Sequence, residues 1–249
     1  MNIALSLSGG AVRGAFHLGV LQAFDDLHVN IKALSGSSIG ALIAASYASG
    51  VSPKEQLELF KSKDFMDSIE FNYFKNGIYK INENHKIYDA LLPCGAFEEL
   101  CIPVHINCVD LNEGVLHVFN SGPLKPACLG STALTPLFRP IEHEEMLLAD
   151  GGFVDNFPVK PLKRYKLPIV GVNAMPVTVK KPKGIFKITK RSLFMLTQSH
   201  VINQIDNCDL YITSEQLAGY PLFKRDNIDE LFALGYEIGM RKASDFISP

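Results

Sequence analysis

The segment Gly36-Ser37-Ser38-Ile39-Gly40 lies between an apolar run, residues 31–35, and a helix-like run, residues 39–48. A serine with glycine two residues before and two residues after it, at a strand-to-helix turn, has the spacing of a nucleophile elbow. Side chains at Gly36 or Gly40 would collide with neighbouring backbone in so tight a turn. The helix that starts at Ser38 also brings the positive end of its dipole there. A serine nucleophile needs a base, and its tetrahedral intermediate needs donors for an oxyanion. Donors are available in Ser8-Gly9-Gly10-Ala11-Val12-Arg13-Gly14, a glycine-rich turn between a strand-like run, residues 3–8, and a helical pattern, residues 12–27. If the two strands are parallel neighbours, both turns lie at the carboxyl edge of the sheet, where open α/β sheets place their sites. The N–H groups of Gly10 and Ala11, with Gly9, would then face the Ser38 hydroxyl.

The base is expected to be Asp150, in Leu148-Ala149-Asp150-Gly151-Gly152, where an apolar run delivers a carboxylate followed by two glycines. An aspartate near its ordinary pKa of about 3.9 is a weak base, but desolvation raises its affinity for a proton. The order Ser, acid, His of an α/β-hydrolase fits poorly, because only His200 follows Asp150 and it sits in a helical pattern. A dinucleotide fingerprint fits poorly too. Gly9-x-Ala11-x-x-Gly14 has alanine where the second glycine admits the pyrophosphate, and the second strand ends in Ser35-Gly36 instead of an acid.

These residues must be held by a sheet. A strand, a helix and a second strand within the first 35 residues make a βαβ unit and argue a parallel sheet. Further strands are expected over 104–110, 115–120, 146–152, 168–174 and 210–214, a helical, aromatic-rich region over 51–100, and a terminal helix in IDELFALGYEIGMRKASDFI. The pattern predicts a single domain over 1–249 with a three-layer α/β architecture and a mixed or mostly parallel central sheet. With 47% hydrophobic residues the chain has ample material for one core.

A formal net charge of −2 argues against a nucleic-acid partner. The five cysteines are odd in number and form no C-x-x-C pair, so reduced, mostly buried thiols are expected. The seven histidines lack zinc-site spacing, and no metal or cofactor is expected. The N-terminus has no signal-peptide pattern, and no apolar run reaches the roughly 18 residues of a membrane span. The chain therefore reads as cytoplasmic. Two stretches stand out as candidates for peripheral contact with the inner membrane surface: the aromatic 64–81, and 180–196, which mixes Lys180, Lys181, Lys183, Lys187, Lys190 and Arg191 with apolar residues. A lid, or simple packing, is the other reading of each.

Taken together, SLSGGAVRGAFHLGVL, GSSIG and LLADGG resemble the oxyanion segment, G-x-S-x-G and D-G-G/A of the patatin-like phospholipase family. ACLGSTALTPLFRPI, VDLNEG and the C-terminal IDELFALGYEIGMR are similar as well, so the resemblance covers nearly the whole chain. It implies a patatin-like fold and a Ser–Asp dyad without a catalytic histidine. Ser38 would be the nucleophile and Asp150 the base. Gly9, Gly10 and Ala11 would form the oxyanion hole, with Arg13, Gly14, Gly36, Gly40, Gly151 and Gly152 completing the motifs. The implied substrates are phospholipid, lysophospholipid or acylglycerol esters, hydrolysed through an acyl-enzyme. Ala11 departs from the family's third glycine, and a φ above zero there would strain it. A silent lipid-binding member and an acyltransferase using the same dyad are the alternatives. His17, Asp110 and Asn156 are expected to be structural first, ordering a helix or turns.

Overall fold

A computed structural model describes residues 1–179 and 181–247. The chain opens with β1 (Asn2–Leu7), α1 (Gly14–Asp26), β2 (Asn30–Gly36) and α2 (Ile39–Ala48). The first turn of the expected first helix is a separate 3-10 turn over Ala11–Arg13. β1 and β2 pair in parallel from Asn2↔Asn30 to Leu7↔Gly36, so the two strands end level at the carboxyl edge of the sheet.

The helical region that follows comprises α3 (Pro53–Lys61), α4 (Lys63–Asp67) and, after a hairpin of β3 (Ile69–Phe71) and β4 (Tyr79–Ile81), α5 (Lys86–Leu91). Ser52 and Glu55 form a reciprocal capping box that starts α3. The hairpin strands are three residues each, too short for a period-two pattern to register. The remainder is β5 (Val104–Asp110), β6 (Val115–Phe119), α6 (Leu124–Thr132), β7 (Ile141–His143), β8 (Met146–Asp150), β9 (Ile169–Val172), α7 (Ile185–Ile205), β10 (Leu210–Ile212) and α8 (Ile228–Ile247).

The main sheet runs β10-β9-β1-β2-β5-β8-β7, with β6 also on β5. From β10 to β5 every pairing is parallel. The antiparallel part explains the site. Ile106 pairs with Gly36 on one side and Phe119 on the other, while Cys108 pairs with Asp150 and His117. β6 therefore holds one edge of β5 from Ile106 to Asp110, and β2 and β8 share the other edge from opposite directions. Their carboxyl ends, Gly36 and Asp150, meet across Asn107.

Side chains alternate between two cores. Ile3, Leu5, Leu7, Ile31 and Leu34 enter the larger core with α1, α2 and α8. Ala4 and Ala33 face a smaller one with Phe157, Val159, Leu162 and Val201, covered by a 3-10 segment over Lys160–Tyr165 and by α7. This is the expected three-layer arrangement, built on strand periodicity. The five cysteines are all free; Cys108 and Cys128 are buried, Cys94 and Cys208 half-buried and Cys101 exposed, so burial is less complete than expected.

α1 and α8 cross at backbone contact. A Cβ on Gly19 would lie 2.1 Å from the Phe232 carbonyl oxygen, and one on Gly235 would lie 2.1 Å from that of Phe16. Neither backbone can yield without separating the helices. Gly19→Ala and Gly235→Ala are each expected to destabilise the fold by about 3 kcal/mol, at the upper end for overpacking, read as a lowered urea midpoint.

Candidate active site

Ser38 stands between β2 and α2 with φ 54° and ψ −128°. This is a sparsely populated conformation for a residue with a Cβ, and it costs of the order of 1–3 kcal/mol. The surrounding structure enforces it. The Ser37 N–H donates to the Leu7 carbonyl (3.2 Å), and the Ser38 N–H donates to Ser131 Oγ (2.8 Å) at the end of α6. Gly36 and Gly40 are small for the expected reason. A Cβ on Gly36 would come within 2.5 Å of the Gly40 carbonyl, and one on Gly40 within 2.4 Å of the Leu7 oxygen.

The Ser38 hydroxyl donates to Asp150 Oδ2 at 2.6 Å. The other carboxylate oxygen, Oδ1, accepts the Gly152 N–H at 2.8 Å, in the 3-10 turn Gly151–Phe153 that follows β8. The Asp150 N–H donates to the Ala133 carbonyl, which fixes the end of β8 against the end of α6. Asp150 is only 4% exposed. Burial pushes its carboxyl up from 3.8 to about 6, against the opposing pull of the hydrogen bonds from Ser38 and Gly152. A hydroxyl joined to a buried carboxylate of raised basicity is a pair that can pass a proton.

The glycine-rich turn lies against Ser38 through Gly9, where a Cβ would sit 3.1 Å from Ser38 Cβ and 2.3 Å from Asn156 Oδ1. Its N–H, however, donates to the Asn156 carbonyl at 3.1 Å. The expectation that Gly9 supplies an oxyanion donor is corrected: that group is spent on holding the turn. Among the described residues, no acceptor engages the N–H of Gly10 or Ala11. Ala11 has φ 49°, the left-handed conformation in which its methyl group is strained. It keeps its N–H nonetheless.

The other motif residues fall into place around this centre. Arg13 is buried and donates from Nε (3.1 Å) and Nη2 (2.7 Å) to the Tyr220 carbonyl, tying the turn to the segment before α8. Gly14 opens α1. His17 is fully buried, with Nε2 2.8 Å from the Ser8 carbonyl, and desolvation lowers its pKa to about 4, so it is a neutral positioning group. Asn156 is buried between Gly9 and Gly152. Asp110 accepts the N–H groups of Asn112 and Leu147, both at 3.0 Å, and those bonds hold its carboxyl below its usual range. It orders a turn two residues beyond the position that faces Asp150.

Two neighbours of the candidate site carry no signal in the sequence. Ser131 carries no motif beyond its place in ACLGSTALTP. Asn107 bridges the gap between β2 and β8: its Nδ2 donates to the Asp155 carbonyl, and Gly151 is seated against its backbone oxygen. His200 is exposed on α7. Among the described residues, one grouping has metal-ligand spacing, Asp110, Glu113 and His117, with donor atoms within 4.8 Å of one another on the β5–β6 hairpin. An open depression of about 670 Å³ beside Ser49, Lys54 and Pro93 lies at the opposite end of α2 from Ser38.

Of the two flagged stretches, 64–81 forms α4 and the β3–β4 hairpin, whose Phe71, Tyr73 and Phe74 are exposed in mutual edge contact. The hairpin is bonded to the Pro136 and Leu137 carbonyls, just beyond Ala133. The stretch 180–196 forms the approach to α7 and its first half; Lys180 lies outside the described residues.

Comparison with known proteins bears on the family and the fold. The profile described as patatin-like phospholipase matches residues 5–163. An uncharacterized NTE family protein of Mycobacterium tuberculosis is 32% identical over 177 residues, covering 69% of this chain and 46% of the relative. Lysophospholipase NTE1 of Mycosarcoma maydis is 31% identical over 179 residues, covering 64% of this chain and 9% of the relative. The chain thus spans about half the length of the first relative and about a tenth of the second. In fold, the crystal structure of VipD from Legionella pneumophila superposes with a TM-score of 0.57 at 16% identity, covering 98% of this chain and 66% of that one.

Asp150→Asn preserves an acceptor for Gly152 and a donor toward Ser38 while removing a buried charge. A carboxyl whose pKa is raised by folding favours the fold fully below the unfolded value of 3.8, and loses that contribution as pH rises through about 6. The variant is therefore expected to be more stable than wild type at neutral pH, by up to about 3 kcal/mol. The difference should vanish below about pH 4 in urea titrations. Ala11→Gly, which relieves the left-handed alanine, is expected to raise stability by about 0.5–1 kcal/mol in the same assay.

Proposed function

The chain belongs to the patatin-like phospholipase family, and from that premise we propose that it is a serine-dependent acyl hydrolase of lipid esters. The observation that carries this reading is the 2.6 Å hydrogen bond from Ser38 Oγ to the buried Asp150 carboxylate. In the proposed cycle Asp150 takes the Ser38 proton as Oγ attacks the ester carbonyl. Negative charge then develops on the carbonyl oxygen, and the N–H groups of Gly10 and Ala11, which have no acceptor among the described residues, are the donors that would receive it, with the positive end of α2 starting at Ser38. Collapse breaks the ester bond. Asp150 returns the proton to the leaving alkoxide, and the acyl group stays on Ser38. Asp150 next takes a proton from water as the water oxygen attacks the acyl-enzyme; collapse breaks the Ser38 Oγ–acyl bond, releases the fatty acid and returns that proton from Asp150 to Oγ.

Two features favour this dyad. A carboxyl pKa near 6 makes Asp150 a far better base than an ordinary aspartate, yet leaves it ionised at neutral pH. The strained Ser38 backbone presents the hydroxyl at the tip of the turn, clear of its own helix. Phospholipid, lysophospholipid and acylglycerol esters are the substrate class, and the lysophospholipase name of the fungal relative points to monoacyl phospholipids among them.

Hydrolysis of a p-nitrophenyl acyl ester series tests the proposal. Wild type is expected to turn over, and Ser38→Ala and Asp150→Asn to lose at least a hundredfold in kcat/KM, the scale of general-base and nucleophile removal. The wild-type kcat/KM should rise with pH through about 6 and then level, because the base must be ionised. A fluorophosphonate probe should label wild type and not Ser38→Ala. Turnover that survives in either variant would reject the dyad.

A further inference from the structure

The charge of this chain is unevenly placed. Residues 156–205 hold ten of its 24 Lys and Arg and none of its 26 Asp and Glu. That span ends with α7, whose geometry is unusual. α7 has 21 residues and is roughly 31 Å long at 1.5 Å per residue. It connects β9 and β10, parallel neighbours of only 4 and 3 residues, which span roughly 13 Å at most. The helix must therefore overhang the sheet, and burial shows at which end. Val201, in the second half, is 1% exposed in the smaller core and Gln198 is buried beside it, whereas every side chain from Ile185 to Lys190 is exposed. β9 ends level with β1 at Leu7↔Val172, and the chain leaves it over the glycine-rich turn, with the Ala174 N–H on Ser8 Oγ. The overhang thus projects from the same sheet edge as Ser38.

The projecting half is amphipathic, and its apolar side faces outward. At 100° per residue, Ile185, Phe186, Ile188, Leu193 and Leu196 fall on one side, while Lys187, Lys190 and Arg191 fall on the other. Gln198 and Val201, which dock the second half onto the domain, lie on the azimuth of the cations. The cationic side therefore continues the face turned to the protein, and the apolar side continues the face turned away from it. Phe186 is 89% exposed, Ile185 75% and Leu196 66%. An apolar helix face held outward, with cations behind it, matches a bilayer surface: acyl chains take the apolar side and anionic headgroups meet the lysines at the level of the protein. A second copy of the same chain would bring the same cations into mutual repulsion.

We propose that the first half of α7 docks this protein on an anionic lipid bilayer, burying Ile185, Phe186 and their neighbours among the acyl chains and setting the Ser38 edge of the sheet toward the membrane. The proposal rests on the lipid-ester reading for its purpose, but binding and hydrolysis can be measured apart. Flotation of the Ser38→Ala chain with vesicles of phosphatidylcholine alone, and with added phosphatidylglycerol, tests binding without turnover. Binding is expected to the anionic vesicles, weakening with salt. Lys187→Gln and Lys190→Gln should each lower the affinity roughly fivefold, and Ile185→Ser with Phe186→Ser should lower it at least tenfold. With Ser38 intact, these four substitutions should leave hydrolysis of a soluble short-chain p-nitrophenyl ester and the circular dichroism spectrum unchanged. No flotation with either vesicle would overturn the proposal and leave the face to an acidic protein partner. Flotation that the paired serine substitutions leave unaltered would overturn it as well. Vesicle binding by a wild type unable to hydrolyse any soluble ester would refute the catalytic reading alone.

Discussion

The contact between the Ser38 hydroxyl and the Asp150 carboxylate exists because two strands of opposite direction terminate at one place along β5. A strand edge normally carries one partner. Here β2 occupies it up to Ile106 and β8 occupies it down to Cys108, so the residues leaving both strands emerge into the same gap. Asn107 spans that gap, and Ser131 and Ala133, from the end of α6, tie down one side chain-bearing residue each. Most of the polar architecture nearby keeps these two chain ends from drifting apart. Arg13, His17 and Asn156 act on the glycine-rich turn in the same way, through backbone carbonyls or a backbone N–H. A short hydroxyl–carboxylate contact of this kind tolerates little displacement, and many buried hydrogen bonds surround so small a centre.

The site is bought at the expense of local stability. Ser38 and Ala11 are both held at positive φ, and Asp150 is an ionisable group sealed from water. Each is a conformation or a charge state that an isolated segment would avoid. The large apolar core on the α1–α8 face, with its backbone-to-backbone helix crossing, supplies the rigidity that makes them tolerable. Ala11 shows the balance in one residue: the methyl group opposes the left-handed turn, yet the N–H remains and carries no internal partner among the described residues.

The periphery follows a different logic. No helix among the described residues is long and apolar enough to cross a membrane. α7 nonetheless carries exposed Ile, Phe and Leu beyond the end of the sheet, on a span whose Lys and Arg face no Asp or Glu of its own. The core needs only the second half of this helix. Its first half is surplus to the packing of the domain, and that surplus sits at the edge where the candidate nucleophile is found.

The local chemistry was legible in the residues themselves. G-x-S-x-G can be read as a strand-to-helix elbow because only glycine fits where backbone meets backbone, and β1, α1, β2 and α2 follow from periodicities that short-range packing obeys. The acid was readable as a carboxylate at the end of an apolar run. What the residues could not disclose was anything decided by pairing between distant segments. The sharing of one edge of β5, the capture of the Gly9 N–H by the Asn156 carbonyl, the support from Ser131 and Asn107, and the sign of φ at Ala11 all depend on contacts far apart in sequence. The cationic character of 180–196 was visible in composition, but not its direction. Only the anchoring of Val201 in the core determines which side of α7 turns outward, because a helix face is defined by what the rest of the fold places against it.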